Sequence, residues 1–259
     1  MIPLVLAGVL GLAAAPATTA PPVDPVVDTV RWSGALGATG RVEIDNPRGD
    51  VRLRGGQSEE VELLAKVQRL GSPGRRAAVD VAPEGDRLRV RVHLPEGARG
   101  RFEDRVDLVV VLPRRTAVVA RGGFGRLEAR GLAGPLEAST ESGEIALDLA
   151  GGARVHSISG RIEARLARAA LAAGVELGSR AGAVRVELAR DAEGELEVRS
   201  RDRILFDLVL PFRREAASGG PSPVRGRIGE GTGRLAIEAG GEIQIVWARA
   251  AAPVPGGAP

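Results

Sequence analysis

The 259-residue sequence contains no cysteine and no tyrosine, and its aromatic residues are two tryptophans and four phenylalanines. The absence of cysteine excludes a disulfide framework, a thiolate metal site and a cysteine nucleophile. Because large aromatic side chains are scarce, a core must be built from Val, Leu, Ile and Ala, which suits thin stacked layers of strands. The hydrophobic content of 44% argues against a wholly disordered chain.

Lysine is also nearly absent, since Lys66 is the only one, and the formal net charge is only +3. Arginines and acidic residues alternate along the chain, whereas a nucleic-acid-binding domain usually has a one-sided basic excess. We therefore expect no nucleic-acid partner. The sequence contains no phosphate-binding loop and no dinucleotide fingerprint, and we expect no cofactor.

The N-terminus is apolar and uncharged from Ile2 to Ala15, and Ala15-Pro16-Ala17 supplies a small-x-small cleavage pattern. The run is shorter than the roughly 20 residues of a membrane-spanning helix. Although no Lys or Arg follows Met1, the pattern predicts a signal peptide over residues 1–17 and export to the periplasm, the cell surface or the medium. Residues 250–259 are rich in Ala, Pro and Gly and predict a disordered tail, so the mature chain is expected to lack a transmembrane segment.

A five-residue phrase recurs ten times: Gly, any residue, Leu/Ile/Val, any residue, then a small or aliphatic residue. The copies begin at Gly40, Gly49, Gly125, Gly134, Gly143, Gly160, Gly182, Gly194, Gly233 and Gly241. Each copy reads as a turn followed by a strand with its apolar side chains on one face. Repetition of such a unit predicts an all-β fold, specifically a single-stranded β-solenoid or β-helix-like stack of short strands.

The repeat is most regular in the middle of the chain. Leu127, Leu136 and Ile145 are nine residues apart, and the segment 142–149 is echoed 17 residues later by the segment 159–166. We assign residues 122–249 to the solenoid repeats with their closing strands. Residues 31–121 form a β portion with longer strands, and residues 18–30 form a Pro-rich linker.

Three segments have ambiguous local patterns. Val61 to Val67 alternates apolar and polar residues and is predicted to be a strand, although the acidic residues before it resemble a helix start. Val106 to Leu112 is almost wholly apolar and is expected to be buried on both faces. The Ala-rich segment Leu166 to Ala173 could make a helical turn, and we treat it as irregular coil.

The chain resembles a widespread bacterial family of unknown function usually labelled putative adhesin. The resemblance spans residues 40–247 and rests on the opening segment 42–51, the central Ser-Gly-x-Ile strands, and the closing segments 228–231 and 241–245. It implies a β-strand-repeat, β-helix-like fold and an extracytoplasmic setting. Arg126 and Arg161 stand where the family pattern favours polar turn residues.

Arginine rows are the candidate binding residues, because guanidinium groups pair bidentately with carboxylates. One set shares a single predicted strand, and the other lies across successive repeats. The candidates are Arg87, Arg89 and Arg91, followed by Arg126, Arg161 and Arg165.

Other motifs are weaker. Arg48-Gly49-Asp50 spells the integrin-binding tripeptide, but Gly and Asp are also ordinary turn residues. Glu43, Asp45 and Asp50 lack the spacing of a calcium-binding repeat, and we expect no metal site. Four glutamates could pair as the carboxylates of a glycosidase do: Glu128, Glu137, Glu144 and Glu163. His156 lies near Ser157 and Ser159, as in a hydrolase, but the sequence has no Gly-x-Ser-x-Gly nucleophile elbow. We therefore expect no catalytic residues.

These observations favour a non-enzymatic secreted or cell-envelope protein that presents an extended contact surface, for acidic glycans or other envelope components. A second hypothesis is an envelope-stress or assembly component that binds a protein partner through strand edges. A third is an enzyme acting on envelope polysaccharide. The identity of the partner and the oligomeric state stay open at this point.

Overall fold

A computed structural model describes residues 26–36, 40–69, 77–95, 104–207, 212–214 and 223–248. The predicted all-β class is confirmed, because the described residues form 21 strands in two sheets and one short helix. The predicted signal peptide and disordered tail lie outside the described residues.

The two sheets are called sheet A and sheet B, and their strands follow in spatial order. Sheet A contains β1 (Val26–Ala35), β4 (Glu60–Arg69), β7 (Arg105–Pro113), β3 (Val51–Gly56), β9 (Leu127–Leu132), β11 (Ile145–Leu149), β13 (Ile162–Leu166), β15 (Val184–Leu188), β21 (Ile243–Trp247) and β17 (Ile204–Asp207). Sheet B contains β18 (Phe212–Arg214), β19 (Val224–Ile228), β16 (Gly194–Ser200), β20 (Arg234–Ala239), β14 (Val175–Ser179), β12 (Ala153–Ser157), β10 (Leu136–Ser142), β8 (Ala117–Phe124), β2 (Arg41–Arg48), β6 (Arg87–His93) and β5 (Ala78–Glu84).

The central strands are parallel, and successive strands from β8 to β15 alternate between the sheets. The sequence periods explain this arrangement. Nine residues carry the chain from one sheet to the other, and 17 residues return it to the same sheet, so Ile145 lies beside Ile162 and Leu149 beside Leu166. Both sheets are mixed, because β1–β4–β7, β5–β6 and β16–β19–β18 are antiparallel.

Chain order and spatial order differ near the C-terminus. Strand β20 pairs with both β14 and β16, and β21 pairs with both β15 and β17. The last two strands of the chain are therefore interior strands of their sheets.

The core lies between the sheets and consists of the inward side chains of each alternating strand. The buried hydrophobic residues are all Val, Leu, Ile or Ala, as the composition predicts. Trp32, Phe206 and Trp247 are half-buried and pack against this core from β1, β17 and β21. Aliphatic layers therefore fill the middle of the fold, and the large aromatic groups are left to strands near the ends of sheet A.

Several segment predictions can be compared with the strands. Val61 to Val67 lies in β4, as predicted. Residues 26–30, which were expected in the linker, form the first half of β1. They contain no proline, and they pair with β4. In β7 only one face is fully buried, and Val109 and Val111 are half-buried on the outer face of sheet A.

The prediction of irregular coil for the Ala-rich segment is wrong. Residues Arg168–Ala173 form helix α1, which buries Ala170 and Leu171. Alanine has the highest helix propensity, so a short helix forms once tertiary contacts bury its apolar side.

A column of glycines stacks at the turns that lead into sheet A. A Cβ atom on Gly125 would lie 2.2 Å from the carbonyl oxygen of Gly49, and one on Gly143 would lie 1.9 Å from that of Gly125. The backbones of successive repeats therefore approach too closely at this column for any side chain.

Candidate functional site

The six candidate arginines all point outward, but they lie on opposite sides of the protein. Arg87, Arg89 and Arg91 occupy the outer face of sheet B on β6, next to the edge strand β5. Arg165 lies on β13 of sheet A, and Arg126 and Arg161 immediately precede β9 and β13 of that sheet. The structure therefore does not bring the two sets together into one site.

Most of these arginines already have acidic partners. Arg89 Nη1 lies 3.1 Å from Glu84 Oε1, and Arg87 Nε lies 3.6 Å from Glu43 Oε1. On sheet A, Arg126 pairs with Glu144 at 3.5 Å and Arg161 with Glu163 at 3.6 Å. Exposed pairs of this kind contribute little to stability, but they reduce the charge available to a ligand.

Arg91 differs from the other five, because it makes no ion pair with the residues that the structure describes. It lies between Asp45 and Asp80 in the register of sheet B. These two aspartates are therefore its neighbours on the adjacent strands, and neither forms an ion pair with it.

Arg165 makes the strongest pair of the set. Its Nε donates to Glu187 Oε2 at 2.7 Å, and Arg185 lies 3.5 Å from the other oxygen of Glu187. The hydrogen bond from Arg165 holds the pKa of Glu187 below its ordinary value and raises the pKa of Arg165 itself. This arginine is a structural partner of a neighbouring strand.

The Arg48-Gly49-Asp50 tripeptide is engaged within the fold. The half-buried Asp50 carboxylate accepts the backbone N–H of Arg126 at 3.0 Å and lies 3.3 Å from Arg105 Nη2. The Arg48 guanidinium lies 5.7 Å from the centre of the Phe124 ring. The tripeptide therefore joins repeats together, and its charged groups are not presented side by side on a loop tip.

The acidic candidates do not converge. Glu128 and Glu163 lie on either side of Ala146 in sheet A, two strand spacings or about 10 Å apart. Glu128 pairs with Arg130 at 2.7 Å. Glu144 immediately precedes β11 of sheet A, whereas Glu137 lies on β10 of sheet B, on the opposite side of the protein. Among the described residues, no three His, Asp or Glu side chains form a group that could hold a metal ion.

The histidine and serine candidates also point apart. His156 is exposed on the outer face of sheet B, whereas Ser157 is fully buried between the sheets. The Ser157 hydroxyl accepts the backbone N–H of Gly160 at 2.8 Å and contacts Thr140 Oγ1 at 3.1 Å. Ser157 therefore supports a turn.

A large depression lies on the outer face of sheet B, over β12, β14, β20 and β16, and is called the groove. Its volume is about 940 Å³. The floor includes Gly178, Ala236 and Gly240, which carry little or no side chain, and the His156 imidazole lies over Gly178. The charged residues around it are Arg154, Arg180, Arg199, Arg201, Arg234, Glu176, Glu197 and Glu238.

Two arginines of the groove are already paired, and three are free. Arg199 lies 2.6 Å from Glu197, and Arg154 lies 3.1 Å from Glu176. In contrast, Arg180, Arg201 and Arg234 are exposed and make no ion pair or side-chain hydrogen bond with the described part of the chain. The groove therefore holds guanidinium groups that are available to an external ligand.

Sequence reasoning missed these three residues. Arg180 and Arg201 follow the ends of strands β14 and β16, which are adjacent to each other only through β20. The signal that could have found them is the paired pattern Ser179-Arg180 and Ser200-Arg201. Using it requires knowledge that β20, which comes later in the chain, lies between them.

Two shallower depressions continue the groove along sheet B. One, of about 570 Å³, shares Arg154 and Glu176 with it, and the other, of about 430 Å³, shares His156 and Ile158. Phe124 lines the second depression, and it and Ile158 are the large apolar side chains exposed there. The outer face of sheet B is therefore a long, open surface that carries both charged and apolar groups.

None of the helices in the described residues is long and apolar enough to cross a membrane. The helix that they contain, α1, has six residues.

No protein-family model and no curated protein matches the sequence. Solved structures similar to the chain include a putative cell adhesion protein from Clostridium sporogenes, with 12% identity, a TM-score of 0.40, and coverage of 87% of this chain and 100% of that one. Putative adhesins from Parabacteroides distasonis and Bacteroides fragilis have 10% and 7% identity and TM-scores of 0.26. They cover 86% and 85% of this chain, and 98% and 97% of their own. Because these values are low, any function must follow from the residues of this chain.

Proposed function

We propose that the chain is a non-enzymatic secreted or cell-envelope protein that presents an extended contact surface for acidic glycans or other envelope components. The observation that supports the proposal best is the outer face of sheet B, where an open surface carries arginines and carboxylates in register across successive strands. Open surfaces of this kind build affinity from many weak contacts rather than from one deep pocket.

The proposal includes a flattened β-solenoid as the architecture of the central repeats. In-register parallel pairing and the alternation between two sheets support it, with one strand in each sheet per turn of the chain. Solenoids form long faces whose length grows with the number of repeats. The predicted signal peptide over residues 1–17 places the protein outside the cytoplasm in this proposal.

The proposed contact residues are the two arginine sets on opposite faces. Arg87, Arg89 and Arg91 belong to the same outer face as the groove, and Arg126, Arg161 and Arg165 belong to the face of sheet A. Because most are paired with carboxylates, a glycan must compete with internal ion pairs on both faces. Binding should therefore be weak per contact and sensitive to ionic strength.

The direct test is retention of the full chain on insoluble envelope material and on immobilised acidic polysaccharide, at low salt and at about 0.5 M salt, where the screening length falls to only a few Å. We expect retention at low salt and release at high salt. A neutral polysaccharide matrix is the control. Absence of retention at low salt, or retention that salt does not change, would contradict the proposal.

The position of the carboxylates supports the absence of catalysis in this proposal. A glycosidase needs two carboxyl groups at a defined separation within a cleft. Glu128, Glu144 and Glu163 each pair with an arginine, and Glu128 itself is buried. No turnover of the bound polysaccharide is expected in the same assay.

A protein partner is the second candidate function, and the sheet edges favour it. Strands β17 and β18 each have one hydrogen-bonded neighbour among the described residues. Leu205 of β17 is an exposed large hydrophobic residue. A partner strand could pair with such an edge. Retention on envelope protein, but on no polysaccharide, would favour this alternative.

A further inference from the structure

We propose that the groove on sheet B binds the carboxylates of an acidic polysaccharide, with Arg180 and Arg201 as its main anion contacts. The inference rests on the proposed function and assigns it to a site that differs from the six arginines named above. Three features support it: the arrangement of free charges, the floor of small residues and the spacing of the two arginines.

Gly240 separates the two arginines in sheet B. Ser179 pairs with Ala239, and Ala239 pairs with Ser200, so Arg180, Gly240 and Arg201 follow in one row across three strands. Two strand spacings place the backbones of the two arginines about 10 Å apart. This length is comparable to two linked sugar rings, and Gly240 between them has no side chain because the backbone of Arg180 lies against it.

The charge balance of the groove favours an anion. Five arginines and three glutamates line it, and two of the glutamates, Glu176 and Glu197, are occupied by Arg154 and Arg199. Glu238 is the remaining carboxylate, and it lies between Gly178 and Arg199 in the register. An incoming carboxylate therefore meets more free positive than free negative groups, and Glu238 weakens rather than abolishes the attraction.

The mixture of charges also selects among anions. A uniformly charged polyanion, such as a nucleic acid or a polyphosphate, would place negative groups against the three glutamates. A polysaccharide with spaced carboxylates has hydroxyl groups between them, and these can donate hydrogen bonds to carboxylate oxygens. The groove therefore fits a ligand that alternates carboxylates with hydroxyls.

The floor argues against lipid as the occupant. Leu177 and Ile237 of the strands beneath the groove are buried between the sheets, and the outward positions beside them are Gly178 and Ala236. Among the described residues that line the groove, Ile158 is the large apolar side chain that is exposed, and one such group gives an acyl chain little area to bury. A sugar ring can lie flat over small residues while its polar groups reach the charged rim.

The test measures binding of the full chain to soluble polygalacturonate by titration calorimetry at low salt. The groove variant is Arg180→Ala combined with Arg201→Ala. The matched control is Arg31→Ala combined with Arg54→Ala, which removes the same charge from exposed arginines that form no ion pair with described residues on sheet A. A third variant, Glu238→Gln, removes the opposing carboxylate.

We expect the groove variant to bind at least about tenfold more weakly, since two charge-assisted contacts are lost. The control should change by less than about twofold, and Glu238→Gln should bind more tightly than the natural chain. Equal losses in the groove and control variants would overturn the assignment to the groove while leaving the proposed function intact. Failure of the natural chain to bind polygalacturonate overturns the groove proposal, whereas the retention of the chain on envelope material tests the proposed function separately.

Three further ligands decide the chemical class. Dextran sulfate tests a more strongly charged polyanion, phosphatidylglycerol vesicles test a lipid surface, and polyglutamate tests an acidic protein. Tighter binding of any of them than of polygalacturonate, lost in the groove variant, would overturn a carboxylated polysaccharide as the occupant. Weaker binding of all three supports it.

Discussion

Substitution of one stacked glycine should destabilise the protein far more than substitution of a glycine in an open turn. Gly143 has φ +155°, and a Cβ atom on it would lie 1.9 Å from the carbonyl oxygen of Gly125. Gly85, between β5 and β6, has φ +59°, and nothing lies within 4 Å of the position of its Cβ. The two sites therefore separate the cost of backbone conformation from the cost of steric contact.

The expected magnitudes follow from these two costs. An unfavourable φ costs about 1–3 kcal/mol at either site. At Gly143 the added methyl must also displace a backbone carbonyl that is fixed by the neighbouring strand, which adds about 1–3 kcal/mol, as for other overpacked positions. Gly143→Ala should therefore lose about 2–6 kcal/mol of the free energy of unfolding, and Gly85→Ala about 1–3 kcal/mol.

The assay is urea unfolding followed by circular dichroism, with midpoints compared for the natural chain and both alanine variants. A loss for Gly143→Ala that does not exceed the loss for Gly85→Ala would refute the reasoning. It would mean that the repeats can separate at the glycine column at no cost, so that close approach of the backbones is not what the glycines provide.

Two further outcomes test the buried polar groups and the strongest ion pair. Ser157→Ala should lower the free energy of unfolding by about 1–3 kcal/mol, because the buried N–H of Gly160 loses its acceptor. The control, Ser139→Ala on the outer face, should change it by no more than about 0.5 kcal/mol. Equal effects of the two substitutions in thermal unfolding would contradict the role of Ser157. The pKa of Glu187 is lowered in the folded state by the hydrogen bond from Arg165, so its stabilising contribution is present above the ordinary value of 4.5 and disappears as the pH falls through the lower folded value. Glu187→Gln should therefore be less stable than the natural chain at neutral pH and approach it in stability in acid, and a difference that stays constant from pH 7 to pH 3 would argue against the pair.

The strands could be predicted from the sequence where they alternate strictly. Arg87 to His93 and Ile145 to Leu149 are strands because one face of each is apolar, and the 17-residue echo places Ile145 beside Ile162. The partners of more distant strands could not be predicted. Nothing in the local pattern of Val51–Gly56 indicates that it pairs with both β7 and β9, since this pairing depends on how the chain returns.

The same limit applies to the candidate site. Outward positions could be predicted for Arg89 and Arg165, but not that they lie on different sheets and already have acidic partners. Arg180 and Arg201 share only a preceding serine in the sequence, and it is the insertion of β20 that makes them neighbours of the same glycine. The small helix α1 was missed because its six residues are stabilised by burial rather than by a helical period.

The position of the last two strands has a consequence for synthesis. Strands β14 and β15 are made long before residues 234–247, yet these residues supply their neighbours in both sheets. Until residues 234–247 have been made, β14 and β15 are edge strands whose outer backbone N–H and C=O groups have no partner strand. Strands β16 and β17 likewise lack the strands with which they pair. Residues 234–247 are therefore inserted between strands that are made before them, and each sheet becomes continuous only after this segment has been made.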